Sequence, residues 1–271
     1  MQMVKERSMD TPVIIMVLGR QRVGKTSFLN AVAQYLTARR AEFEIWDGDQ
    51  QNTSYNLSLF HRGALRSSEA DPEEVKVWLE QRFSSVIENR TSAILDIGGG
   101  DTPLGRLVQD VPVAETLEGA GVRVVLVHVV GPETADLDYL GRFSAGDLFV
   151  SRRTLVVLNA GLVLSGRSVK GAFSQTMEHP TLRAVLRNGG KIVEMPRLAC
   201  MSEVTDRGLS FEDALAGAGA GTSANDLAPL NLFDKARVRK WWHQELPKMF
   251  RDIPADWLPA ERESQTSDAA E

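Results

Sequence analysis

Apolar residues fall along this chain in two rhythms. Six short runs, 13–18, 43–46, 92–97, 122–130, 154–158 and 191–195, have strand length and are rich in β-branched or aromatic residues. The first of them, VIIMVL, is apolar at every position, as a parallel strand covered on both faces must be. Between the runs the spacing changes to that of a helix. Phe28, Leu29, Val32, Tyr35 and Leu36 share one helical face. In 71–90, Pro72 and an acidic first turn precede a stripe of Val75, Trp78, Leu79, Phe83, Val86 and Ile87. Such alternation predicts an α/β fold, a mostly parallel sheet with helices on both faces. Sheets of this kind gather ligands beyond the carboxyl ends of their strands. No internal repeat is present.

The C-terminal part departs from that rhythm. Residues 216–226, AGAGAGTSAND, read as a flexible surface loop, and 261–271, ERESQTSDAAE, as a disordered acidic tail. Between them LNLFDKARVRKWWHQELPKMF predicts a helix. It turns Leu232 or Phe233, Val238, Trp241 or Trp242, and Leu246 toward the body, with Pro247 near its end. The expected organisation is one domain over 1–260 followed by the tail. At 271 residues, 43% hydrophobic and 25% charged, the chain suits a globular protein. The lone Cys200 cannot form an intramolecular disulfide, and the first residues do not resemble a signal peptide, so a cytoplasmic location is expected. No apolar run reaches the roughly 18 residues needed to span a bilayer, and no membrane role is expected. A net charge of −5 argues against wholesale coating by nucleic acid. His61, His128, His179 and His243 are scattered without metal-ligand spacing.

The chemistry begins directly after the first strand. Gly19-Arg20-Gln21-Arg22-Val23-Gly24-Lys25-Thr26-Ser27 fits the pattern G-x-x-x-x-G-K-Ser/Thr between a strand and a helix. In such a loop backbone N–H groups wrap phosphates, the lysine neutralises the β and γ oxygens, and the hydroxyl holds Mg²⁺. The helix N-terminus adds its own preference for an anion. Two later strand ends supply carboxylates. Asp47 and Asp49 stand two apart in EIWDGDQQNTS, and Asp96 ends the apolar run of AILDIGGGDTPL. Lys25 and Asp49 are the candidates for catalysis, Asp49 orienting the attacking water. Thr26, Asp96 and Asp49 are the candidates for the metal shell.

In order and spacing, RQRVGKTS, WDGDQQNTS and ILDIGGGDTP resemble the KGGVGKTT, DLDPQGNAT and IDTPP elements of the ParA/MinD family of P-loop ATPases. The resemblance runs from about residue 12 to 217. LVVLNAGLV looks like the family's base-contacting strand end, with Asn159 at the adenine position, and VEMPRLACMSEVTDRGLSFEDAL looks like its late segment, with Pro196 and Arg197 near the base. What the resemblance implies is a slow, partner-stimulated ATPase that uses ATP and Mg²⁺ and forms a nucleotide-dependent homodimer. Such proteins serve plasmid or DNA partition, conjugation or cargo positioning. The chain also departs from the family. Its signature lysine, which crosses to the partner's nucleotide, is replaced by Arg20, and its paired glycines by Gln21 and Arg22. Arginine keeps the charge and adds a planar fork suited to phosphate, so the resemblance makes Arg20 a third candidate for catalysis, acting on the partner's nucleotide.

Three functions compete on these residues. The first is the ATP-driven dimerisation switch, helped by an unidentified activator protein and by non-specific DNA binding through Lys235, Arg237, Arg239 and Lys240. A small-molecule kinase or amidoligase is the second; it would need an arginine-rich lid, for which Arg152, Arg153, Arg167 and Lys170 are available. The third is a nucleotide-binding scaffold without catalysis.

Overall fold

The computed structural model describes residues 11–49, 56–98, 102–145, 151–218 and 227–261. Seven strands, β1 (Val13–Leu18), β2 (Phe43–Asp47), β3 (Leu65–Arg66), β4 (Ser92–Asp96), β5 (Arg123–Val130), β6 (Arg153–Asn159) and β7 (Lys191–Met195), form one sheet in the order β3-β2-β4-β1-β5-β6-β7. Every pairing is parallel. The sheet is the one expected, with one strand more. β3 has two residues, too few to leave a periodic trace.

Side chains of β1 alternate between two cores, as strand geometry dictates. Val13, Ile15 and Val17 pack with Phe28, Leu29, Val32 and Leu36 of helix α1 (Lys25–Ala38) and with the C-terminal helices. Ile14, Met16 and Leu18 pack on the other face with Leu79, Phe83 and Val86 of the helix Pro72–Asn89, and with Leu104 and Leu107. A third apolar cluster joins β5 and β6 to Leu137, Leu140, Phe173 and Leu182. Helices therefore cover both faces. The helix Pro72–Asn89 begins as its sequence predicts: Asp71 accepts hydrogen bonds from the N–H groups of Glu73 and Glu74, and Pro72 opens the first turn.

The C-terminal helix differs from the single regular rod expected. It is α-helical over Leu232–Lys240, widens into a π turn at Trp241–Glu245, and resumes over Leu246–Arg251. Pro247 has no N–H for the carbonyl one turn earlier, and the wide turn absorbs that defect. Neighbouring Trp241 and Trp242 both face inward. They pack on Phe211, each with ring centroids 5.0 Å from it. Lower down, Phe250 stacks on Tyr35 of α1 at 3.7 Å. Leu232 and Phe233 are both exposed, at 78% and 72%, because the first turn stands clear of the body. Most of the expected loop at 216–226 and of the tail at 261–271 lies outside the described residues, as do 50–55 and 99–101. No helix among the described residues is long and apolar enough to cross a membrane.

Candidate functional site

Because all seven strands run the same way, their carboxyl ends share one edge of the sheet, and the sequence candidates come from those ends. β1 lies between β4 and β5, so the chain leaves it in one direction and later returns on its other side. That reversal opens the crevice in which such sheets bind ligands. The loop 19–24 fills this place, and α1 starts on Lys25.

Two glycines make the loop possible. Gly19 has φ of 145°, and a Cβ on it would stand 2.8 Å from the carbonyl oxygen of Val129. Gly24 is left-handed, with φ of 94°, and a Cβ there would stand 2.4 Å from Nδ2 of Asn159. Arg22, at φ of 65°, holds the same region without glycine's freedom, a conformation that costs energy and marks a tightly specified loop. Lys25 is buried and folds back over the turn, its Nζ donating to the carbonyls of Gly19 at 2.9 Å and Arg20 at 3.2 Å. Its charge thus sits inside the loop.

Thr26 Oγ1 donates to Asp96 Oδ2 at 2.7 Å. Asp96 is fully buried, and its Oδ1 has no hydrogen-bond partner among the described residues. Burial pushes this carboxyl up to about 7, opposed by the Thr26 hydrogen bond and the Lys25 charge, while Asp47 and Asp49 push it further up. A buried carboxylate oxygen without a donor, next to a threonine hydroxyl, is a hard-oxygen pair suited to Mg²⁺. Among the described residues no group of three or more His, Cys, Asp or Glu side chains could hold a metal alone. The pair therefore suits an ion that takes its remaining ligands from phosphate and water, as Mg²⁺ does.

The end of β2 is braced against this centre. The N–H of Gly48 donates to the carbonyl of Asp96 at 2.8 Å. Asp47, fully buried, accepts from Ser58 Oγ at 2.8 Å and from the N–H of Asp49 at 3.3 Å, so it organises the turn. Asp49 turns its carboxylate toward Gly98, where a Cβ would meet Oδ1 at 2.8 Å. Sequence reasoning missed two partners in this turn, Ser58 and Arg66. Neither belongs to a motif, and both are brought in by the fold.

Asn159 ends β6 and grips the loop itself. Its Nδ2 donates to the carbonyl of Val23 at 2.8 Å, and its Oδ1 accepts from the N–H of Gly161 at 2.9 Å. Pro196 follows β7, and its carbonyl accepts from the indole of Trp241 at 2.7 Å. Arg197 donates to the carbonyl of Val163 at 3.3 Å, tying the β7 end to the segment after β6. Arg20 points along the edge in its own chain, its Nη1 reaching Glu133 at 3.2 Å and Asp136 at 3.0 Å. Asp136 is buried and fixed by a second hydrogen bond, from the N–H of Gly131 at 2.8 Å. Of the basic residues on the C-terminal helix, Arg237 pairs with Asp234 and Lys240 with Glu245, each at 2.6 Å. Arg152 and Arg153 stand at the N-terminal end of β6, the edge opposite the loop. Neither can close over phosphates there.

No protein-family model and no curated protein matches the chain. Solved structures do resemble it. The signal recognition particle receptor FtsY of Elizabethkingia anophelis aligns with a TM-score of 0.45 and 13% identity, over 85% of this chain and 65% of its own. The cell division protein MinD of Aquifex aeolicus aligns at 0.45 and 15%, over 86% and 97%. FtsY of Thermotoga maritima aligns at 0.43 and 17%, over 85% and 68%. The chain thus spans under two thirds of the length of the Elizabethkingia receptor. Likeness this loose carries nothing about ligand or reaction, which rest on the site itself.

Proposed function

We propose that this chain is a P-loop ATPase that works as a nucleotide-dependent dimerisation switch of the ParA/MinD kind. The observation that carries the reading is the joined constellation at the start of α1. A glycine-shaped loop holds the Lys25 ammonium inside it, and the Thr26 hydroxyl meets a buried Asp96 whose other oxygen lacks a donor. A triphosphate would take the loop's N–H groups and the Lys25 charge. Magnesium, when bound by Thr26 and Asp96, supplies charge neutralisation at the β and γ oxygens. Asp49 would then orient the water that attacks the γ-phosphorus while the bond to the β-phosphate oxygen breaks, releasing ADP and inorganic phosphate. Asn159, Pro196 and Arg197 would flank the adenine, as the resemblance implies. Arg20 would leave Glu133 and Asp136 to reach the phosphates of a second copy.

Beyond the reaction, the proposed roles are plasmid or DNA partition, conjugation or cargo positioning in the cytoplasm, with an activator protein to stimulate hydrolysis. DNA binding through Lys235, Arg237, Arg239 and Lys240 extends that role; the ion pairs of Arg237 and Lys240 reduce the charge this helix offers to phosphate.

The test is a titration of fluorescent ATP and GTP analogues with and without Mg²⁺. ATP is expected to bind saturably, more tightly than GTP, and to weaken at least about tenfold, roughly 1.4 kcal/mol, when Mg²⁺ is chelated. Absence of saturable binding to either nucleotide contradicts the reading.

A further inference from the structure

The turn after β2 is held by a residue from outside every motif. β3 sits at the edge of the sheet, and its second residue, Arg66, lies in register with Asp47. From there the guanidinium divides its two ends. Nη1 stands 3.7 Å from the buried Asp47 Oδ2, and Nη2 donates to the backbone carbonyl of Asp49 at 2.8 Å. The N–H of Asp49 is meanwhile held by Asp47 Oδ1 at 3.3 Å. The backbone of Asp49 is therefore gripped at its nitrogen and at its oxygen, with its carboxylate directed at Gly98. Ser58 completes the anchor by donating its hydroxyl to Asp47 at 2.8 Å.

We propose that Arg66 is a positioning residue for Asp49: its guanidinium spans the Asp47 carboxylate and the Asp49 carbonyl and so sets the direction of the Asp49 carboxylate. The inference rests on the hydrolase reading above. The planar fork meets the two acceptors with two separate nitrogens held in fixed relation; a lysine ammonium at the same site would have to serve both from one point on a flexible stem. An edge strand of two residues has little reason of its own to persist, and this fork gives β3 a task in the site. Small displacements of an orienting group are costly in rate, because the attacking water must meet the phosphorus along one line.

The experiment compares wild type, Arg66→Lys, Arg66→Gln, Asp49→Ala and the double variant Arg66→Lys/Asp49→Ala. Nucleotide affinity, single-turnover hydrolysis and hydrogen exchange in the nucleotide-free protein over 46–50 are measured for each. Arg66→Lys is expected to keep ATP affinity within about twofold and to hydrolyse about 10- to 100-fold more slowly. In the double variant the loss should be no greater than in Asp49→Ala alone, since both changes act through one group. Exchange over 46–50 should quicken in Arg66→Lys. Wild-type hydrolysis in both Arg66 variants overturns the proposal. So does a rate loss that adds in full to that of Asp49→Ala, which would place Arg66 in a separate role. Should wild type neither bind nor hydrolyse nucleotide, the hydrolase reading fails by itself. Exchange then decides whether Arg66 holds Asp49, and unchanged exchange overturns that tie.

Discussion

Lys25→Ala is expected to lose ATP binding at least about a hundredfold, roughly 2.8 kcal/mol, while the fold survives. Both halves follow from the contacts of the ammonium. It makes two hydrogen bonds, to the carbonyls of Gly19 and Arg20, and water admitted by the shortened side chain can take over both. Around a triphosphate the same charge faces β and γ oxygens with little water to replace it, so removing it leaves a loop of dipoles against a multiply charged anion. Equilibrium titration with a fluorescent ATP analogue gives the affinity, and thermal unfolding without nucleotide gives the control. A curve that overlies wild type removes the phosphate-loop assignment. The fold of α1 does not depend on this side chain, because Phe28, Leu29, Val32 and Leu36 anchor the helix in the core.

Asp49→Ala is expected to do the reverse: bind ATP within about threefold of wild type, and hydrolyse it about 100- to 1000-fold more slowly. The distinction rests on where the carboxylate lies. Asp49 belongs to the turn after β2, beside Gly98, whereas the proposed phosphate-binding groups belong to the loop after β1. In the proposed role its interaction with a water nucleophile strengthens mainly in the transition state, so its loss would fall on turnover and spare affinity. The backbone of the turn keeps its grip through Asp47, Ser58 and Arg66, none of which needs the Asp49 side chain. Single-turnover release of inorganic phosphate, measured beside the binding titration, separates the two effects. Wild-type turnover in this variant refutes the role of Asp49.

The parts of the fold that could be read in the chain are those whose cause is local. VIIMVL is apolar at every position because β1 is covered on both faces, and the loop after it must carry glycine at 19 and 24, where Val129 and Asn159 approach. Asp71-Pro72 announces its helix for a similarly local reason. What could not be read depends on residues far apart in the chain. Arg20 meets Glu133 and Asp136, more than a hundred residues away, only after β1 and β5 pair. Arg66 reaches Asp49 because a two-residue strand falls into register with β2. The π turn at Trp241–Glu245 is likewise unreadable, because nothing in the 3.6-residue spacing announces one. For Asn159, the place at a strand end was legible and the partner was not. The amide clasps the carbonyl of Val23, an arrangement set by the neighbouring ends of β1 and β6 across β5.

In the proposed switch ATP joins two copies of this chain, and Arg20 is the residue on which the joining turns. Its ion pairs with Glu133 and Asp136 are intramolecular, and the Arg20 side chain is 41% exposed. The pair with Glu133 is exposed and screened by solvent, and Asp136 keeps the N–H of Gly131 when Arg20 leaves, so contact with a partner's phosphates can offset the loss. Dimerisation must then depend on the γ-phosphate by linkage. The most direct measurement is sedimentation of wild type and Arg20→Ala with ADP and with a slowly hydrolysed ATP analogue, at nucleotide concentrations that saturate binding. Wild type is expected to be monomeric with ADP and dimeric with the analogue, and Arg20→Ala monomeric with both while still binding ADP. A wild type that stays monomeric with the analogue bound, or an Arg20→Ala variant that dimerises as well as wild type, contradicts the account.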